Sequence, residues 1–156
     1  MIGSIPRDRF ETWANSLGSS STTFFGVAMW LHLLKTDIDP TLDTIPLDAM
    51  LADFDNYAPA AIASAVRATS YDLPTGERLI VIPPATGGNR WETGSLSNLP
   101  QTIYAVALSD DSVTIEAAHC LALGRLDSPI ELTGDDQEVD IPLLRVRINP
   151  AAVDGL

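Results

Sequence analysis

Between residues 79 and 148 the chain alternates short apolar, β-branched runs with turns built on Pro, Gly or Asp. Runs this short, broken this often, predict an antiparallel β-domain. Residues 78–82 form one predicted strand, stopped by Pro83-Pro84 because proline cannot donate to a ladder. Others are predicted over 102–108, over 119–126 with an extension through 130–132, and over 139–148. In the last, Leu144, Val146 and Ile148 alternate with Arg145 and Arg147, as a strand with one wet face requires. Asp110-Asp111-Ser112 and Thr133-Gly134-Asp135-Asp136 supply the turns between them. Residues 60–69 are a further strand candidate, and Trp91, alone after Thr86-Gly87-Gly88-Asn89-Arg90, is placed at one end of the core.

The N-terminal third is patterned differently. Phe10, Trp13 and Leu17 fall at helical spacing, with Pro6 acceptable in a first turn, so residues 6–17 read as a short amphipathic helix ended by Gly18 and a serine run. Residues 24–34 then offer apolar side chains to both faces. An extended strand covered on both sides accounts for this most simply, a buried helix being the alternative. After an acidic loop containing Pro40, Leu47, Met50, Leu51 and Phe54 stand at i, i+3, i+4 and i+7, which predicts a second short helix. The whole is read as a single mainly β domain over residues 1–156, an antiparallel β-sandwich or jelly-roll-like fold with two short helices in its N-terminal third. Residues 1–22 form a helical arm, 23–150 the β-domain and 151–156 a short tail.

Charge narrows the functional classes. Against 9 basic residues stand 21 acidic ones, for a formal net charge of −12, so a phosphate backbone would be repelled and nucleic acid is not an expected partner. The longest apolar run, 24–34, carries His32 and is about half of the ~20 residues a spanning helix needs, so no membrane is expected either. The first residues lack an apolar signal core, and the chain is read as made in the cytoplasm and unprocessed. One cysteine, Cys120, cannot form an intrachain disulfide and is expected to be a buried thiol.

Candidate chemistry is sparse. The Gly87-Gly88 loop lacks a P-loop lysine and G-x-G-x-x-G spacing. Ser95 and Ser97 lack the glycine spacing of a nucleophile elbow, so residues 94–98 read as an ordinary turn. His119 and Cys120 are neighbours on a strand and point to opposite faces, so they are read as structural, as is His32 within its apolar run. Asp37, Asp39 and Asp43 in one loop, and Asp135, Asp136, Glu138 and Asp140 around another, could each offer calcium several oxygen ligands, although neither matches an EF-hand. No cofactor and no enzymatic activity are expected. Apolar surface on both faces of 24–34, together with scattered tryptophans, points to association with other chains. Phe10, Trp13, Trp30, Trp91, Arg145 and Arg147 are the candidate interface residues, with Arg67 and Arg125 as further cations for interface ion pairs.

The order of short helix, apolar strand, acidic loop and then Leu51-Ala52-Asp53-Phe54-Asp55-Asn56-Tyr57-Ala58 resembles the opening half of small structural proteins of tailed-bacteriophage particles. Leu99-Pro100-Gln101-Thr102-Ile103-Tyr104, Leu121-Ala122-Leu123-Gly124-Arg125-Leu126-Asp127-Ser128-Pro129-Ile130 and Val139-Asp140-Ile141-Pro142-Leu143 resemble that family's last strands. Ala105 departs from it, since similar chains usually have Gly after the Tyr. The resemblance spans residues 23–150 and rests on packing and turn residues. It implies a virion component, displayed on the particle exterior as a capsid decoration or head-fibre-base protein, homo-oligomeric and in contact with other virion proteins such as the major capsid protein. A tail or fibre adaptor, or a receptor- or glycan-binding module using the Gly87-Gly88 loop and Trp91, is the alternative.

Overall fold

The computed structural model describes residues 2–4, 29–38, 47–62, 69–72, 78–82, 89–116, 119–141 and 144–148. In chain order its strands are β1 (Ile2–Ser4), β2 (Met29–Leu34), β3 (Ala60–Ile62), β4 (Thr69–Asp72), β5 (Arg78–Ile82), β6 (Arg90–Glu92), β7 (Gln101–Ser109), β8 (Cys120–Leu132), β9 (Glu138–Asp140) and β10 (Leu144–Ile148). Eight of them form one sheet in the order β3-β2-β7-β8-β1-β10-β5-β4, and β6 pairs with β9 in a separate ribbon. The pairing is antiparallel except where β1 meets β10. The chain is therefore mainly β and largely antiparallel, as its spacing of turns predicts.

The middle of the main sheet is buried on both faces. On one, the ribbon face, Leu31 and Leu33 of β2 join Ile103 and Leu108 of β7, with Phe54, and with Trp91 and Val139 from the ribbon. On the other, the loop face, Leu34, Ala105, Ala107, Cys120 and Leu123 pack with Ile38 and Ile115. A strand so enclosed has no solvent-facing side, which explains why 29–34 is apolar on both faces apart from His32. The β7–β8 ladder steps from Ile103↔Ile130 to Ala105↔Arg125. Residues 126–129 thus bow out of register, and Pro129 lies where no ladder N–H is required.

Two expectations are corrected. The predicted second helix is a single 3-10 turn, Asp48–Met50, whose preceding Leu47 makes no side-chain cap. Leu51 is already extended (φ −63°, ψ 145°) because the edge of β2 requires partners. Leu51 bridges Leu34, Ala52 N–H donates to Leu33 O (2.9 Å), and Lys35 N–H donates to Met50 O (2.8 Å). The strand predicted over 139–148 divides into β9 and β10, which belong to different sheets. Pro142, with no N–H of its own, falls between them. The predicted helix at 6–17 lies outside the described residues, as do 24–28 and 63–68 of the strand candidates.

The chain returns to β2 as β3, which pairs through Trp30↔Ala61. Between the two pieces that flank β2, a turn loops out, and Tyr57 fills the gap it leaves: its hydroxyl oxygen accepts the Leu33 N–H at 2.9 Å. Phe54 packs edge-on against the Tyr57 ring, with centroids 5.3 Å apart. Burial pushes the Tyr57 phenol up to about 12, although the bond from Leu33 opposes the shift.

Candidate functional site

A cleft of about 480 Å³ opens where the turn after Ala52 meets β6 and the turn before β9. Trp91 lies along its base. Trp91 is 5% exposed, and its indole N–H donates to Ala58 O at 2.6 Å, which ties the ribbon to the segment leading into β3. Thr93 beside it is buried and fully engaged. Its hydroxyl donates to Gly134 O (2.8 Å) and accepts from Gln137 N–H (2.9 Å), its N–H donates to Gln137 O (3.0 Å), and its carbonyl accepts from Asp136 N–H (2.9 Å). Gln137 Oε1 in turn accepts from the N–H groups of Thr133 and Gly134, at 2.5 and 2.7 Å. These bonds shape the turn that carries Asp136.

Backbone geometry at the rim is specialised. Asn56 (φ 67°) and Asp136 (φ 53°) are both left-handed, a conformation that Asn and Asp tolerate better than other side chains. Gly94 N–H donates to Asp55 O at 3.2 Å, and a Cβ at Gly94 would collide with the Asn56 side-chain amide. Only glycine fits there with Asn56 in place.

The rim is polar and net acidic. Arg90 pairs across the ribbon with Glu138 (2.9 Å) and approaches Asp140 (4.0 Å), so its charge is largely matched, and Glu92 and Asp136 add negative charge. Such a rim disfavours anions. Its amide, carboxylate and guanidinium groups are suited to holding hydroxyl or amide groups of a ligand. Among the described residues no three His, Cys, Asp or Glu side chains gather to hold a metal ion, and Asp39 and Asp43 of the first acidic loop lie outside them.

A second polar cluster crosses the loop face, where residues 110–116 lie over the sheet. His32, 1% exposed, has Nε2 3.0 Å from Asp111 O, while its buried Nδ1 has no partner. Desolvation holds the His32 pKa below its ordinary value, against the Asp111 hydrogen bond and the Asp48 and Asp111 charges. Asp48 Oδ1 accepts from Thr114 Oγ1 (3.0 Å) and Ile115 N–H (2.8 Å). Asp111 Oδ1 accepts the Val113 and Thr114 N–H groups at 2.7 and 3.1 Å, which lowers its carboxyl. His119 Nδ1 lies 2.9 Å from Asp110 Oδ1, and Cys120 is buried.

The structure does not bring the candidate interface residues together. Trp91 belongs to the ribbon-face core, whereas Trp30 alternates with His32 and Leu34 toward the loop face and is half-buried. Arg145 and Arg147 occupy β10 opposite Val81 and Leu79 of β5. Phe10, Trp13, Arg67 and the Gly87-Gly88 loop lie outside the described residues. Arg125 is exposed and pairs with Asp37 at 2.7 Å. The sequence singles out Asp136 only as a possible calcium ligand, and gives no sign that Asn56, Gly94 and Tyr57 help to form a site. Asp and Asn at turn positions were a signal for left-handed backbone, but their convergence from distant turns was not readable locally. No protein-family model, curated protein or solved structure matches the chain.

Proposed function

We propose that this chain is a non-catalytic structural component of a tailed-bacteriophage particle, exposed on the exterior as a capsid decoration or head-fibre-base protein. In this reading it is made in the host cytoplasm, forms a homo-oligomer and grips other virion proteins such as the major capsid protein through surface burial. The observation that carries the proposal is where the resembling segments lie. Residues 51–58 seal the edge of β2 through Leu51, Ala52 and Tyr57, and receive the Trp91 indole on Ala58. The segments at 99–104, 121–130 and 139–141 supply β7, β8 and β9 around them. These segments form joints of the architecture, which supports the reading, since joints are what a packing component would share with similar chains. Ala105, where similar chains usually have Gly, sits in β7 between Leu34 and Arg125 and needs no conformation special to glycine.

The same reading takes the main sheet to be rolled into a sandwich or jelly-roll-like form. Its two edge strands, β3 and β4, are consecutive in the chain and separated by residues 63–68. That connection reaches at most about 25 Å. The edges of a flat eight-stranded sheet would lie about 34 Å apart, and this mismatch supports a curled sheet.

Immunogold labelling of purified particles with an antibody to this chain tests the proposal. Gold over the head is the expected result, and particles without gold would overturn it. A second reading, a tail or fibre adaptor or a receptor- or glycan-binding module, is favoured by the polar cleft above Trp91. A glycan array that is bright with wild-type protein and dark with Asp136→Ala would support it.

A further inference from the structure

We propose that residues 110–116 form an acid-released cover over the loop face of the main sheet, held shut at neutral pH by His32 and opening onto the apolar surface beneath. The cover has an apolar plug and a polar latch. Ile115 is the plug, fully buried with Leu34, Ala105, Ala107 and Leu123. The latch consists of His32 on Asp111 O, Asp48 on Thr114 and Ile115, and Ser109 Oγ, which donates to Thr114 O (2.8 Å) and accepts from Asp111 N–H (3.0 Å).

His32 is the component that responds first as pH falls. Neutral imidazole needs one donor and one acceptor site, and with Nε2–H on the Asp111 carbonyl the closed form leaves only the weaker requirement, an acceptor at Nδ1, unmet. Imidazolium would place a second N–H at Nδ1, buried and without an acceptor. The ionisable groups facing it are the Asp48 and Asp111 carboxylates. Both attract the cation, but the Oδ1 atom of each already accepts bonds from the cover, N–H on Asp111 and N–H and O–H on Asp48. Ala105 and Ala107 of β7 and Leu123 of β8 add no ionisable group to this face, which also carries the Cys120 thiol and, packed against it, the Tyr104 phenol. Lys35 and Arg125 are engaged by Asp53 and Asp37, and His119 by Asp110.

The sign follows from linkage. The open form takes up a proton near the ordinary histidine value of 6.5, whereas the closed form resists it to lower pH. Closure is therefore fully favoured above that value and is lost progressively below it. At pH 5.0 the closing equilibrium falls by up to about 30-fold, the bound for a group that ionises only after opening. Opening exposes Leu34, Ala107 and Leu123 while leaving the ribbon face intact.

The test uses the whole protein and the dye bis-ANS at pH 7.5 and 5.0, with circular dichroism to follow the sheet. Dye fluorescence is expected to rise several-fold at pH 5.0 in wild type with the sheet retained. It should stay flat in His32→Gln, whose amide can still donate to Asp111 O but does not titrate. No rise in wild type, or an equal rise in the variant, would overturn the proposal. If His32→Gln does not fold, the His32 ring resonance in wild type decides. Titration coincident with dye binding supports the cover, and titration near 6.5 without dye binding refutes it.

Discussion

The two faces of β2 are closed by different chemistry, although they are one residue apart. Leu33 faces the ribbon, where its amide meets the Tyr57 hydroxyl, and the surrounding groups are aromatic or aliphatic. His32 faces the loop, where its ring holds a carbonyl and the neighbouring bonds end on carboxylates. An apolar face with one phenol is indifferent to pH until that phenol ionises. A face latched by imidazole and carboxylates is sensitive on the acid side. The comparison teaches that burial alone does not define a core: the loop face is as dry as the ribbon face but is held by groups that can change charge.

The largest expected effect comes from emptying the ribbon face. Leu33→Ala should lower unfolding free energy by about 2–5 kcal/mol, measured by urea titration. Ile115→Ala removes a comparable side chain from the loop face, yet its global cost is capped at the free energy of closing the cover, and bis-ANS should already bind at pH 7.5. Equal urea midpoints for the two variants would break the distinction. Gly94→Ala, which forces Asn56 aside, should cost about 1–3 kcal/mol by overpacking.

Tyr57→Phe should cost about 1–2 kcal/mol at pH 7.5, because the Leu33 N–H loses its acceptor. It also sharpens the comparison at alkaline pH. The unfolded phenol ionises near 10 and the folded one at about 12, so wild type loses stability as pH rises through that window. The Phe variant should lack that component in thermal melts between pH 9 and 11. The smallest effect belongs to Asp53, whose carboxyl is lowered chiefly by its bond with Lys35 and which is largely exposed. Asp53→Asn should change stability by less than about 1 kcal/mol. What it removes is present above the ordinary Asp value and is lost as pH falls through the lowered one.

Much of the strand content was legible because period-two patterning and turn residues are local signals. β5, β7 and β8 fall where alternation and Pro or Asp breakers place them, and even the bow at 126–129 coincides with the gap between two apolar runs. The region 47–54 was misread because its i, i+3, i+4 spacing is real, yet the open edge of β2 draws Leu51 and Ala52 into extended pairing, a tertiary demand that overrides local periodicity. Strand 139–148 was misread because alternation continues across Pro142 although the sheet does not. The cover was not legible, and of the cleft only Trp91 and the acidic turn carrying Asp136 stood out. Asn56 and Asp136 come from turns far apart in the chain, and His32 meets Asp111 across a long loop closure, so neither juxtaposition leaves a trace in neighbouring residues.

Amide hydrogen exchange at pH 5.0 with increasing urea tests the contrast between the two faces most directly. Thr114 and Ile115 should exchange faster than Leu33 and with little dependence on urea, the mark of a local opening that exposes little surface. Exchange of all three amides at one rate, with one steep urea dependence, would mean that the faces open only together and would contradict the account.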